Sequence, residues 1–378
     1  MQVPLLDLKA QLETIRDEVH LAVEEVLEST RYIMGPKIIQ LEEKIAQYCG
    51  ASFGVGVSSG TDALLIALMA LDIQPDDIVI TTPYSFFATA GVVARLKARP
   101  VLVDIDPATY NLDPQALREW LTSHPAEIKK VKAIIPVHLY GQCADMDPIL
   151  TLAGQYGIPV IEDAAQAIGS RYPSQNGVLK AGSMGLMGCF SFFPSKNLGG
   201  IGDGGMVVTS NAGLAEKLAK LRNHGSHPKY YHSLIGGNFR LDPIQAAVLL
   251  VKLPHLNDWH RARQHNAIFY DQQLQGTGLQ TPHVAYKREY HIYNQYVLSV
   301  PSRRDDLCAF LTSHQIGNEI YYPVPFHQQE CFRYLGYRTG DFPHSEYAAT
   351  HTIALPIYPE LTDEMKGFVV EKIREFYR

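Results

Sequence analysis

Short apolar runs rich in β-branched residues recur along the chain between longer stretches of helical periodicity. That is the pattern of a largely parallel sheet covered by helices on both faces. The runs predict seven strands, at residues 55–57, 78–80, 101–103, 133–137, 160–161, 189–193 and 206–209. Between them helical spacing covers residues 63–71 and 114–122, with Asp113 placed as an N-cap ahead of Pro114. After the seventh run the pattern changes. Helices at 214–222 and 243–252 lead to a junction at Pro254 and His255, followed by strands at 296–300 and 319–322 and helices at 304–313 and 362–376. The expectation is an α/β chain of two domains: a large one over residues 1–255, including an N-terminal arm, and a smaller α/β one over 256–378.

Composition narrows the picture. With 378 residues and 46% apolar content, the chain buries a full-sized core. Charged residues are only 19%, and the net charge of -6 is spread without a basic or acidic block, which argues against a nucleic-acid binder. The five cysteines are odd in number, scattered and without a C-x-x-C pair, as in a reducing compartment. No stretch reads as a secretory leader or a membrane span, so a cytoplasmic protein is expected.

Candidate chemistry collects at strand ends, where ligands bind in open α/β sheets. Lys196 lies just past an aromatic run and is fenced by Pro194, Gly199 and Gly200. Partial burial there lowers a lysine's proton affinity and favours Schiff-base chemistry, whereas the plain reading is a surface lysine in a turn. Asp163 closes the run Pro159-Val160-Ile161-Glu162-Asp163. A carboxylate so placed suits the pyridinium nitrogen of pyridoxal phosphate, and capping of the Ala-rich turn that follows would suit it equally. Glu162 is expected on the other face of the strand. Ser58-Ser59-Gly60-Thr61 joins a strand to a helix start whose free N–H groups favour a phosphate, and Ser191 adds a hydroxyl from the sixth strand. Phe87 follows the second strand and could lie against a ring or simply belong to the core.

Two patterns are decoys. Gly200-Ile201-Gly202-Asp203-Gly204-Gly205 spells a dinucleotide fingerprint, but Met206-Val207-Val208-Thr209 after it is a strand, whereas that fingerprint must open a helix. Of the fifteen histidines, His224 and His227 stand three apart across Gly225, without a zinc-binding motif. No metal is expected.

These residues bring the chain to a resemblance. It is similar almost end to end to the DegT-type (DegT/DnrJ/EryC/StrS) sugar aminotransferases, fold-type I pyridoxal-phosphate enzymes with a mostly parallel seven-stranded sheet. The matching segments appear in order: Ser59-Gly60-Thr61-Asp62-Ala63, Glu162-Asp163-Ala164-Ala165-Gln166, Ser191 to Lys196, and Gly236-Gly237-Asn238-Phe239-Arg240-Leu241-Asp242. The resemblance implies Lys196 as the Schiff-base lysine and Asp163 as the partner of the ring nitrogen. Gln166 is then near the ring hydroxyl and Phe87 stacks on the ring, with Gly60, Thr61 and Ser191 forming the phosphate cup. Asn238 would reach the phosphate of a second subunit, implying a homodimer with shared sites. Lys229, Arg240 and His327 fall where relatives contact substrate, and each could instead serve the surface or the dimer contact. By resemblance the substrates are a nucleotide-linked keto sugar and glutamate. The segment around Lys196 leans toward relatives that aminate carbon 3, with carbon 4 of a 4-keto-6-deoxy sugar as the alternative. Sugar dehydration is disfavoured because those relatives carry histidine where this chain has Lys196. A non-catalytic regulator on the same fold is the rival from another class.

Overall fold

A computed structural model describes residues 1–378. The strands are β1 (Phe53–Val57), β2 (Ile78–Thr81), β3 (Arg99–Leu102), β4 (Val131–Ile135), β5 (Ile161–Asp163), β6 (Arg171–Ser174), β7 (Gly177–Lys180), β8 (Met187–Ser191), β9 (Gly205–Thr209), β10 (Tyr296–Ser299) and β11 (Thr352–Leu355). All seven runs predicted for the first part of the chain form strands. They divide into a parallel sheet ordered β3-β2-β4 and a sheet ordered β1-β9-β8-β5, in which β9 runs antiparallel to both neighbours. β4 and β5 meet only through isolated parallel bridges, Ile134 with Val160 and Val137 with Asp163.

Proline explains that break in the expected continuous ladder. Pro136 ends β4 and Pro159 precedes β5, and neither carries an N–H to donate. Their carbonyls still accept, from Asp163 N at 2.9 Å and Ile134 N at 3.0 Å, so the strands lie side by side with a thinned ladder.

Helix Gly60–Ala70 carries the site's geometry. Residues Ala63 to Leu68 are all buried, an all-round apolar surface that belongs inside a core. Burying Leu64, Leu65, Ile66 and Leu68 stabilises by about 1.5–3 kcal/mol each. The helix packs on β8 and β9, which fixes its N-terminus at the end of β1. β1 is itself clamped: Glu42 accepts from Gly56 N at 2.8 Å and pairs with Arg222, which also donates to the Gly56 carbonyl at 2.9 Å.

The C-terminal part has its own core, built on helix Leu256–Gln273, β10 antiparallel to β11, and helix Asp363–Phe376. Val3 joins that core from the other end of the chain and bridges to Ile316. Helices Pro243–Lys252 and Arg304–Ser313 match the expected bounds, and Asp113 caps its helix by accepting from Gln115 N at 2.8 Å. Two expectations need correction. The strand at 319–322 reduces to one bridge, Glu319 with Ala354, because the chain then turns away to join Tyr84 through its backbone. The sixth strand ends at Ser191 rather than residue 193, and Pro194 follows in a turn.

Glu162 ties these pieces together. Its fully buried carboxylate accepts from Gly182 N, Met184 N and Gly185 N at 2.6–2.7 Å and from His138 Nε2 at 2.8 Å. The Ala144 N–H donates to His138 Nδ1 at 3.1 Å, so the imidazole proton is on Nε2. Glu162→Ala leaves these donors stranded in the core, and we expect a stability loss of about 3–5 kcal/mol by denaturant titration. A loss below about 1 kcal/mol would mean that the cluster carries little of the fold.

Candidate active site

The ends of β5, β8 and β1 bring the predicted residues together. Asp163 pairs with Cys189 across β5 and β8, and its side chain is on the face opposite Glu162, as strand alternation requires. The carboxylate is buried at 5% exposure. Oδ2 accepts from the Thr89 hydroxyl at 2.8 Å and Oδ1 from Ala165 N at 3.2 Å. Burial pushes the Asp163 carboxyl up from its ordinary range, and the Thr89 hydroxyl, the Ala165 N–H and the Lys196 charge act against that rise. No helix follows Asp163, so the capping reading falls away and leaves only a local turn at Ala165.

Lys196 lies in the turn between β8 and β9, half-buried. Loss of solvent lowers its pKa to about 8, opposed by the attraction of Asp163. Each of the two charges is therefore felt at the other. The turn is held from several sides. Asn197 donates to the Ile292 carbonyl at 3.1 Å and accepts from Asn294 at 2.8 Å. Lys252 donates to the Gly199 carbonyl at 2.8 Å, and Ile201 N donates to Gln245 at 2.8 Å.

Gly60 opens helix Gly60–Ala70 against Ser191: a Cβ at Gly60 would stand 2.6 Å from the Ser191 Cβ and 3.1 Å from its oxygen. Ser59 caps the helix by accepting from Asp62 N at 3.0 Å. The Ser58 and Ser59 hydroxyls both donate to Asp62 Oδ2, at 2.6 and 3.0 Å, so neither has a proton left for an anion. The donors remaining for a phosphate are the backbone N–H groups at Gly60 and Thr61 and the hydroxyls of Thr61 and Ser191. Gln166 is buried, accepting from Tyr140 N at 2.7 Å and donating to the Tyr322 hydroxyl at 3.0 Å. Phe87 precedes helix Ala88–Arg95, is 46% exposed and rests against Phe332 at 5.5 Å between centroids. This donor set, the small cradle and the lysine of lowered pKa fit a phosphorylated pyridine aldehyde.

The other named residues have different surroundings. Asn238 is exposed, bridging to Asn223 of its own chain, while the neighbouring Phe239 carbonyl accepts from Ser58 N at 2.9 Å. Arg240 pairs with Val57 at the end of β1 and donates to Asn223 Oδ1 at 2.8 Å. Lys229 is exposed over the Tyr230 ring at 4.9 Å. His327 is buried, with Nε2 on Glu346 at 2.9 Å and its ring edge-on to Phe342. Sequence reasoning missed Thr89, His138, Tyr140 and Tyr322 as parts of the site. Each sits in a loop or helix remote in the chain, and only the fold makes them neighbours.

Strand ends holding a lysine, a carboxylate and an anion cradle define a cofactor-dependent α/β enzyme of the aminotransferase type. The chain belongs to the DegT/DnrJ/EryC1/StrS aminotransferase family, whose model matches residues 13–374. It is 48% identical over 381 residues to a pleiotropic regulatory protein of Geobacillus stearothermophilus, covering 100% of this chain and 99% of that one. It is 41% identical over 372 residues to the UDP-N-acetyl-3-dehydro-alpha-D-glucosamine 3-aminotransferase of Acidithiobacillus ferrooxidans, covering 98% and 97%. The crystal structure of DesV from S. venezuelae superposes with a TM-score of 0.93 at 38% identity, covering 100% and 99%. The chain is an aminotransferase of nucleotide sugars, from a family that binds pyridoxal or pyridoxamine phosphate.

Two outcomes follow from the geometry. Gly60→Ala fills the cradle, and absorbance titration of the apoprotein should show pyridoxal phosphate binding weakened by at least about 10-fold. Unchanged affinity would remove Gly60 from the cup. Because the Lys196 amine loses its proton near pH 8 rather than at the ordinary 10.5, cofactor capture should speed up with rising pH and level off above about 8. Stopped-flow absorbance against pH reads the midpoint, and a value near 10.5 would contradict the burial of the amine.

Proposed function

We propose that this chain transfers an amino group from glutamate to carbon 3 of a nucleotide-linked keto sugar, either a UDP-N-acetylhexosamine or a TDP-6-deoxyhexose derivative. The observation that carries the reading is geometric: Lys196 lies in the turn after β8, the buried Asp163 ends the paired strand β5, and Gly60 at a helix start packs against Ser191 at the end of β8. The relative from Acidithiobacillus supports amination at carbon 3. Carbon 4 remains the alternative.

When bound, pyridoxal phosphate supplies a ring that accepts electron density from a carbon losing its proton. Asp163 holds positive charge at the ring nitrogen, Gln166 orients the ring hydroxyl and Phe87 covers the ring face. Gly60, Thr61 and Ser191 bind the phosphate. Lys196 Nζ attaches the cofactor and, when free, takes and returns the proton at the donor's α-carbon, an exchange favoured by a pKa close to working pH. In net terms glutamate and the keto sugar exchange amino group and carbonyl oxygen, giving 2-oxoglutarate and the amino sugar.

Residues 1–255 and 256–378 serve as a large cofactor domain and a smaller one. A homodimer with shared sites is supported by exposed apolar side chains on the segment before Asn238, where Tyr230, Tyr231 and Ile235 are 78%, 72% and 92% exposed. In that assembly Asn238 contacts the neighbouring subunit's phosphate, and Lys229, Arg240 and His327 attend the sugar nucleotide. A regulatory reading draws on the printed name of the Geobacillus relative. A regulator without chemistry has no need of a lysine of lowered pKa opposite a buried carboxylate.

The test is amine transfer from nucleotide-linked 3-amino and 4-amino sugars to 2-oxoglutarate, with glutamate as the measured product. Transfer from 3-amino sugars supports the reading, transfer from 4-amino sugars alone redirects it, and none from either returns the regulator. Lys196→Ala should lower turnover by at least about 10⁴-fold in the same assay. A variant working at the wild-type rate would remove Lys196 from the mechanism.

A further inference from the structure

Thr89 is the one side chain that touches the Asp163 carboxylate with a hydroxyl, and it is fully buried. Its oxygen has three neighbours: Asp163 Oδ2 at 2.8 Å, the Phe86 carbonyl at 3.1 Å and Ser85 Oγ at 3.0 Å. A hydroxyl has one proton to give and two lone pairs to receive. Two of those neighbours, the carboxylate and the carbonyl, compete for the proton. The carboxylate is the closer, and a charged acceptor makes the stronger bond. The third neighbour, Ser85, is buried at 5% exposure, and with the Thr89 proton directed at Asp163 it is the Ser85 hydroxyl that is left to donate to the Thr89 oxygen.

We infer that Thr89 is a positioning residue for the amino transfer, donating to Asp163 and backed by Ser85, so that the carboxylate stays charged and aimed at the cofactor's ring nitrogen. The inference rests on the proposed pairing of Asp163 with that nitrogen. The geometry has two settings. With the carboxylate ionised the Thr89 hydroxyl donates to Oδ2; with it protonated the hydroxyl turns to the Phe86 carbonyl one turn back, and the preference for the ionised form is lost. Phe86 and Phe87 precede Thr89 in one short segment, so the stretch proposed to supply the aromatic cover also carries the hydroxyl that holds the carboxylate. Burial raises the proton affinity of Asp163, and Ala165 N at 3.2 Å is its only other hydrogen-bond donor. Thr89 therefore supplies the shorter of two bonds that keep the acid ionised.

The test uses holoenzyme reconstituted with pyridoxal phosphate labelled with nitrogen-15 in the ring. Thr89→Val keeps the side-chain shape and removes the hydroxyl, and Thr89→Ser keeps the hydroxyl. Single-turnover reaction with glutamate should slow about 10- to 100-fold in Thr89→Val and within about 3-fold in Thr89→Ser. The ring-nitrogen resonance should move toward its unprotonated position in Thr89→Val alone, and the glutamate KM should hold, a split that loss of packing would not produce. Wild-type rate and resonance in Thr89→Val overturn the proposal. Should that variant fail to fold, Ser85→Ala decides: a resonance shifted in the same direction supports the relay, and a wild-type one overturns it. Asp163→Asn separates the two levels. If it reacts like wild type, the pairing of Asp163 with the ring nitrogen is wrong; if it is slow while Thr89→Val is not, only the role of Thr89 falls.

Discussion

Two adjacent carboxylates at the end of one short strand set the conditions for everything else. Glu162 and Asp163 face opposite sides of β5 because successive side chains alternate. Glu162 is saturated by three backbone N–H groups and an imidazole. That saturation anchors the strand end from behind, so Asp163 cannot relax into the core to relieve its own desolvation. It is left buried with two donors, in a position where a cationic partner on the open side is worth more than it would be in water. The hydrogen bonds of the silent carboxylate thus fix the strand end on which its neighbour stands.

Lys196 faces the complementary problem. An amine of lowered pKa must be kept out of water, yet it lies in a turn, and turns ordinarily run over the surface. The structure resolves this by tying the turn down along its length. Asn197 reaches Ile292 and Asn294, Gly199 is held by Lys252, and Ile201 is held by Gln245. Lys252 is itself buried at 5% exposure, so the underside of the turn is packed, and the loss of solvent there lowers its pKa to about 8. Glycines at 200 and 202 are part of the same solution, since a Cβ at either would run into the Gln245 amide. The glycine-rich segment that spells a dinucleotide motif is therefore a fitted turn leading into β9.

What the sequence disclosed, and what it withheld, divides along physical lines. Apolar periodicity is a local record of burial, so all seven strands and the helix Pro243–Lys252 were legible from it. Candidate site residues could be picked at strand ends because the position, and not only the residue type, carries meaning: Asp163, Lys196, Ser191 and Gly60 were named that way, and the fold sets them at or just past neighbouring strand ends. The hairpin of β6 and β7 was missed because its exposed, partly polar strands show no alternation strong enough to register. The strand expected at 319–322 failed for the opposite reason. Its β-rich composition is real, but Tyr322 is drawn to Gln166 and Tyr84 instead of to a neighbouring strand. Thr89 and His138 had no local signal at all, since a threonine early in a helix and a histidine after a strand acquire their roles only from partners 74 and 24 residues away.

The two ends of the site differ in the same sense. Of the residues proposed for the cofactor, Asp163 and Gln166 already meet hydrogen-bond partners within their own chain. The residues proposed for the sugar end are less uniform: Lys229 stands in solvent above Tyr230, and Arg240 donates to Asn223 while its Nε is buried and unpartnered. His327 is turned inward onto Glu346. A cation that must meet a diphosphate gains from being left under-satisfied until substrate arrives, whereas a residue that must hold a carboxylate at one angle gains from being fully bonded beforehand. The bonded carboxylate of Asp163 is thus held at one angle in advance, whereas the solvent-facing Lys229 amine and the unpartnered Arg240 Nε keep donors to spare.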